Sequence, residues 1–172
     1  WDRLAAEADA MTPEAYLMGL MARLAWFRDG HTTMYVDGRV GPMGMIKAPG
    51  FDLTLPIAAS PFFDGLYVTA AKGEGAPLLG ARIARVDGVP IEKVLRSFAA
   101  MWPGNNPTRA HYDADLILRP AVLRGARLAA PAGVSVPVAV EAEIGGSLVK
   151  TVLIPRPNAR EALVPLPRKQ FP

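Results

Sequence analysis

Apolar residues recur along this chain at two spacings, 3.6 and 2, which divide it into helical and extended stretches. Leu17, Leu20, Met21 and Leu24 fall on one helical face, with Phe27 continuing the stripe. Thr12 suits the N-cap, Pro13 the first helical position with its fixed φ and missing donor, and Glu14 the positive end of the dipole. The helix is predicted to stop near Asp29-Gly30. Residues 32–36 then read as a strand before an Asp37-Gly38 turn, whereas the Gly-, Met- and Pro-rich stretch 41–49 predicts no element. Short strands follow by composition at 53–57, 66–70 and 81–86, the last ended by Asp87-Gly88.

From Pro90 the period returns to 3.6. Ile91, Val94, Leu95, Phe98 and Met101 share a face, which predicts a helix from about Pro90 to Met101. Residues 105–130 read as helical again, with Thr108 as a cap, Leu116, Ile117 and Leu118 as core, and Pro120 breaking or restarting the helix. Val134, Val136, Val138 and Val140 alternate strictly, the mark of a half-buried strand. Pro137 lacks a ladder donor and demotes that strand towards a sheet edge. Gly145-Gly146 turns the chain, and 148–154 return as the partner strand. Five prolines between Pro155 and Pro172 predict an extended, linker-like end. Helices and strands in this order make the fold class α+β.

Composition agrees with a packed globular chain. Of 172 residues, 51% are hydrophobic and 20% charged, which excludes global disorder. Seventeen prolines and sixteen glycines argue against an all-helical bundle. The net charge is +3, with fourteen of nineteen cations arginine, yet no Lys/Arg run or basic aromatic helix marks a nucleic-acid groove. No cysteine is present, which removes disulfides and thiolate metal sites. No apolar run reaches the roughly 18 residues of a membrane span. No signal peptide is visible, but the chain opens at Trp1 and not Met, so an upstream piece removed by processing or by design is expected and that absence says little.

Two groups of residues carry a resemblance. Asp64-Gly65-Leu66-Tyr67-Val68-Thr69 is similar to the strand after the carboxylate-binding loop of bacterial PDZ domains. Leu79-Gly80-Ala81-Arg82-Ile83-Ala84-Arg85-Val86-Asp87-Gly88-Val89-Pro90 resembles the segment that in those domains leads into the groove helix, with Ala81 where Asp is common. Leu24-Ala25-Trp26-Phe27-Arg28-Asp29-Gly30-His31-Thr32 resembles the Asp-Gly-His-Thr element that precedes the PDZ-like domain of C-terminal-processing (tail-specific, tricorn-like) serine peptidases, and Leu55-Pro56-Ile57 sits where their next apolar strand falls. The resemblance spans about residues 15–155.

It implies three regions: a helical segment, 1–50; a PDZ-like domain, 51–157, with an insertion at about 103–131; and a linker, 158–172, to a catalytic core following Pro172. His31 becomes the candidate base for a serine in that core, a neutral imidazole near working pH being the acceptor a weakly acidic hydroxyl needs. In family members that use lysine, the same histidine would be structural. The candidate peptide-binding residues are Phe63, Gly65, Leu66, Tyr67, Val68, Val94 and Phe98, with a polypeptide substrate or its C-terminus adding a strand beside 66–70. The alternative is a groove filled by the chain's own insertion, leaving the domain a gate or scaffold. The resemblance calls for no cofactor and implies export to a periplasm or beyond.

The chain holds no nucleophile in the required setting. Its serines are Ser60, Ser97, Ser135 and Ser147. Ser60 precedes a proline, Ser97 faces away from its helix's apolar stripe, and Ser135 falls in the alternating run. Ser147 follows Gly145-Gly146 but has no helix behind it to bind an oxyanion. His31 and His111 with Asp113 and Asp115 lack a spacing that demands a metal. The methionines read as core filler. The 172 residues alone are therefore expected not to hydrolyse peptides, and a free-standing binding module or pseudoenzyme is the competing reading.

Overall fold

A computed structural model describes residues 2–29, 36–37, 46–47, 50–101, 114–128 and 133–167 of the chain. The elements in chain order are α1 (Asp2–Glu7), α2 (Pro13–Leu24), β1 (Val36–Asp37), β2 (Ile46–Lys47), β3 (Leu53–Thr54), β4 (Ile57–Phe62), β5 (Gly65–Ala71), β6 (Arg82–Val86), β7 (Val89–Pro90), α3 (Ile91–Met101), α4 (Ala114–Ile117), α5 (Pro120–Gly125), β8 (Val138–Ile144), β9 (Ser147–Leu153), β10 (Arg156–Pro157) and β11 (Val164–Pro165). Short 3-10 turns lie at Ala8–Ala10, Ala25–Phe27 and Gly73–Leu78. The fold class is α+β.

α2 begins as the sequence dictates, with the Thr12 hydroxyl accepting from the Ala15 N–H at 3.4 Å and Pro13 in the first turn. Its buried face is Leu17, Met18 and Met21. The stripe does not reach Phe27. At Ala25 the helix tightens to 3-10, the added rotation per residue carries the aromatics off the face, and Trp26 and Phe27 are exposed. α1, which no periodicity signalled, is anchored through its single buried apolar residue, Leu4, against Gly19 of α2.

The main sheet runs β11-β5-β6-β8-β9, with β4 paired to β5 and β7 to β6. β4 and β5 form an antiparallel hairpin closed at Phe62 and Gly65, irregular between Ala58 and Ala59. β8 and β9 form the second, closed by Gly145 and Gly146 at φ 55° and 80°, the left-handed conformations that a two-residue hairpin turn requires. The alternating valines foretold this hairpin, but its position differs from expectation. The strand starts at Val138, after Pro137, and residues 134–136 are a turn. With Pro137 outside the ladder, β8 pairs on both sides, with β6 and β9, and the sheet edge falls to β9. Ser135 consequently lies in the turn. Ser60 lies within β4 with its Oγ 3.3 Å from the Thr69 Oγ1.

One core joins the layers. Ile57, Leu66, Val68, Ile83, Val86, Val138, Val140 and Leu153 from the strands, with Leu55 between β3 and β4, meet Ile91, Val94 and Phe98 of α3 and Ile117, Leu118 and Leu123 of the insertion. Burying each such side chain contributes about 1.5–3 kcal/mol before entropy is counted. Pro120 does restart the helix, separating α4 from α5. α5 packs against α2, and α4 lies against both β4 and α3.

The C-terminal stretch up to residue 167 is not free-running. β10 pairs with β3, and β11 with the end of β5, where the Leu166 N–H donates to the Thr69 carbonyl at 2.7 Å and Leu166 itself is buried. Prolines did not prevent this pairing because each strand is only two residues long and contributes few ladder donors.

Candidate functional site

The residues expected to form a peptide groove come together around the β4–β5 hairpin and α3, but not as a groove. Leu66, Val68, Val94 and Phe98 are all at most 2% exposed, so their side chains belong to the core and present nothing to a ligand. This is the outcome of periodicity: on a half-buried strand, alternate residues must face in, and Leu66 and Val68 are the inward pair.

β5 also lacks a free edge at the positions where an added strand was expected. It pairs with β4 from Gly65 to Ala71, with β6 at Tyr67, and with β11 at Ala70 and Ala71. Val68 donates to the Ala81 carbonyl at 2.9 Å and accepts from the Gly80 N–H at 2.8 Å. A peptide beside 66–70 would have to displace one of these strands. The space between β4 and α3 is taken by α4, whose Ile117 and the following Leu118 are wholly buried.

The exposed members of the set cluster at the hairpin tip. Phe63 is fully exposed at the turn, and Phe62 meets Tyr67 edge-on with ring centroids 5.4 Å apart. Tyr67 donates its hydroxyl to Asp64 Oδ2 at 2.9 Å, and this hydrogen bond, with burial and the charge of Asp64, holds the phenol above its ordinary pKa of 10.0. Arg82 Nε donates to the Asp64 carbonyl at 3.0 Å, and its other nitrogens reach Glu143 at 3.4 Å and Glu92 at 3.6 Å. A Cβ at Gly65 would stand 2.6 Å from Arg82 Nε, so a larger residue there would have to displace the Arg82 side chain from the Asp64 carbonyl. The tip is an ordered tight turn carrying a carboxylate, Asp64, which opposes capture of a ligand carboxylate at the same spot.

His31 lies outside the described residues, as do His111, Asp113, Thr108, Gly38 and residues 32–35 of the predicted strand, whereas Val36 and Asp37 form β1, so the chain is still extended at Asp37 where a turn was expected. Structure is described up to Asp29, where Arg28 takes a left-handed conformation at φ 51° after the 3-10 turn. Among the described residues, no three His, Cys, Asp or Glu side chains gather as a metal site would require. None of their helices is long and apolar enough to cross a membrane.

One polar arrangement escaped the sequence reading. Asp87 sits at φ 46° in the β6–β7 turn, and Arg124 of α5 donates Nη1 to its Oδ2. Asp87 Oδ1 accepts from the Ala139 N–H at 2.7 Å, and Arg124 Nη2 reaches the Pro137 carbonyl at 3.5 Å. The two side chains are 10% and 3% exposed. This buried pair ties the helical insertion to the β6–β7 turn and to the start of β8. Asp87-Gly88 announced only a turn. Nothing in the spacing of residues 87 and 124 announced the partner.

Comparison of the chain with protein-family models, curated proteins and solved structures finds no match.

Proposed function

We propose that the chain is the non-catalytic front portion of an exported serine endopeptidase of the C-terminal-processing type, in which a PDZ-like domain acts as a scaffold or gate. The observation that carries the reading is the order of elements. Strands β4, β5 and β6, the Asp87-Gly88 turn, α3 and the closing β8–β9 hairpin follow in the sequence that the resemblance to PDZ-like domains leads one to expect. β5, beside which a peptide strand was expected, is already paired with β4, β6 and β11, and the first helix of the insertion packs against β4 and α3. Of the two roles the resemblance allowed, recruitment through an open groove and scaffolding with a filled one, this geometry favours the second.

His31 then supplies the base to a serine contributed from beyond residue 172. The described serines have other settings: Ser60 faces Thr69 across the hairpin, and Ser147 opens β9 at a two-glycine turn. The competing reading, a free-standing scaffold or pseudoenzyme, rests on this lack of a nucleophile. Substituting His31→Ala in the full-length gene product separates them. Loss of peptide hydrolysis with an unchanged melting temperature supports the base role, and unchanged turnover removes His31 from the catalytic machinery.

A further inference from the structure

At one edge of the main sheet, β9 runs for seven residues and pairs only with β8. Which of its backbone groups face away from β8 follows from the neighbouring ladder. Ala139 of β8 turns both its groups towards the β6–β7 turn, its N–H donating to Asp87 Oδ1 at 2.7 Å and its carbonyl accepting from the Asp87 N–H at 2.7 Å. In an antiparallel ladder the bonding direction alternates from residue to residue, so Val138, Val140, Ala142 and Ile144 are the ones that bond to β9. Their partners are Leu153, Thr151, Val149 and Ser147, and the last pair closes the two-glycine turn. The N–H and carbonyl groups of Leu148, Lys150 and Val152 therefore point off the edge, and among the described residues none of them has a hydrogen-bond partner.

Natural sheets blunt such an edge with prolines, bulges, brevity, charge or a cover. Residues 147–153 contain no proline and keep an unbroken register with β8, and the cover reaches only the far end. There the Gly73–Leu78 turn packs against β9, and Glu74 Oε1 takes the N–H of Ile154, the next outward residue after Val152, at 3.3 Å. The side chains follow the same alternation. Leu148 and Val152 are 62% and 53% exposed on the outer face, while Val149 on the inner face is only partly covered, so the core itself stops short at this edge. Within the strand, the one blunting feature is the charge of Lys150.

A row of alternating backbone donors and acceptors is matched along its length by another extended backbone. A second copy of β9 matches it poorly. The antiparallel register that sets Leu148, Lys150 and Val152 of both strands against one another places Lys150 opposite its own copy, and like charges directly opposite destabilise a pair. The surroundings of Lys150 call for the other sign. Its Nζ lies 3.2 Å from Glu141 Oε1, but Arg85 Nε stands 3.8 Å from the other oxygen of that carboxylate, so two cations share one anion. We infer that β9 docks an extended segment of another polypeptide as an added antiparallel strand, with an acidic residue opposite Lys150 and apolar residues opposite Leu148 and Val152. This edge is separate from β5, where the resemblance placed a peptide, and it requires no chain terminus. The inference does not rest on the peptidase reading.

The test is an NMR titration of the whole chain with a peptide blocked at both ends, acetyl-Thr-Val-Thr-Glu-Thr-Val-Thr-amide, whose valines and glutamate face the three outward residues. Saturable shifts of the Leu148, Lys150 and Val152 amide resonances, with a Kd of about 1 mM or below, support the inference. Methylating the backbone nitrogens of the two valines and the glutamate should abolish them, because those N–H groups are the ones that meet β9. Replacing the glutamate by lysine should weaken binding about threefold or more, and Lys150→Glu, at an exposed position, should invert that preference. No shifts up to about 5 mM, equal binding of the methylated probe, shifts at β5 in place of β9, or an unaltered preference in Lys150→Glu overturns it. Shifts of the same amides with protein concentration alone also overturn it, since they make the occupant a second copy. Should Lys150→Glu fail to fold, the methylated probe and the glutamate–lysine comparison on the native chain decide. A negative titration leaves the peptidase proposal untouched.

Discussion

The Asp87–Arg124 pair offers a perturbation whose size follows from its burial. With Arg124 at 3% and Asp87 at 10% side-chain exposure, removing one partner leaves the other charged in a low-dielectric setting. Breaking such a pair costs about 3–5 kcal/mol. Asp87→Ala should sit at the upper end, because it also strips the Ala139 N–H of its 2.7 Å acceptor. Arg124→Met should cost less, since Asp87 keeps that bond and some solvent. Arg124→Lys should not rescue, because an ammonium on a flexible stem does not reproduce a fork that spans Asp87 and the Pro137 carbonyl. At about 2–4 °C per kcal/mol for a chain of this size, the single variants should melt about 6–20 °C below the parent. The pair is coupled, so Asp87→Ala combined with Arg124→Met should lose no more than the worse single variant. Urea unfolding followed by far-UV circular dichroism closes the cycle. Single losses under about 1 kcal/mol, or strict additivity, would refute the view that this latch holds the insertion to the sheet.

Three further outcomes are expected. Gly125→Ala places a Cβ 2.4 Å from the Glu14 carbonyl oxygen, a backbone atom that cannot swing aside, so α2 and α5 must separate and stability should fall by about 1–3 kcal/mol in thermal melts. Phe98→Ala, in the core at 2% exposure, should cost about 3–5 kcal/mol, whereas Phe63→Ala at the exposed hairpin tip should stay within about 0.5 kcal/mol, and equal effects would contradict the assignment of one to core and the other to surface. Glu74 is subject to burial, which raises its pKa, but hydrogen bonds from backbone N–H groups, including that of Ile154, and from Arg156 outweigh it and leave the carboxyl below its ordinary 4.5. A depressed carboxyl stabilises the fold above its unfolded pKa and loses that contribution as pH falls through the folded value. Glu74→Gln should therefore weaken the protein at neutral pH and flatten the fall in urea midpoint below about pH 4.5.

The legible parts of the fold were those with a strong local signal. The Thr12-Pro13 cap, the Ile91–Val94–Phe98 face and the Gly145-Gly146 turn each state their structure within a few residues, and each appears where expected. α1 was illegible because one leucine in six residues makes no period. The start of β8 was misplaced because valine alternation continues through a segment that Pro137 keeps out of the ladder. The pairing of β10 and β11 with β3 and β5 was invisible because two-residue strands have no pattern, only partners. The site suffered from the same limit. Leu66, Val68, Val94 and Phe98 were correctly read as apolar and regular. Whether they lined a groove or filled a core depended on what packed over them, and the answer lies in Ile117 and Leu118, some twenty residues further on. Asp87 and Arg124 likewise meet across a sequence separation that carries no signal.

The peptidase reading stands or falls on a serine that this chain does not supply. The most direct experiment treats residues 1–172 and the full-length gene product side by side with a fluorophosphonate probe, which labels only an activated serine, and with an unstructured peptide reporter. Labelling and hydrolysis by the full-length protein, with neither from residues 1–172, is the predicted result. A full-length product that takes up no probe and leaves the reporter intact would contradict it and leave the chain a scaffold or binding module.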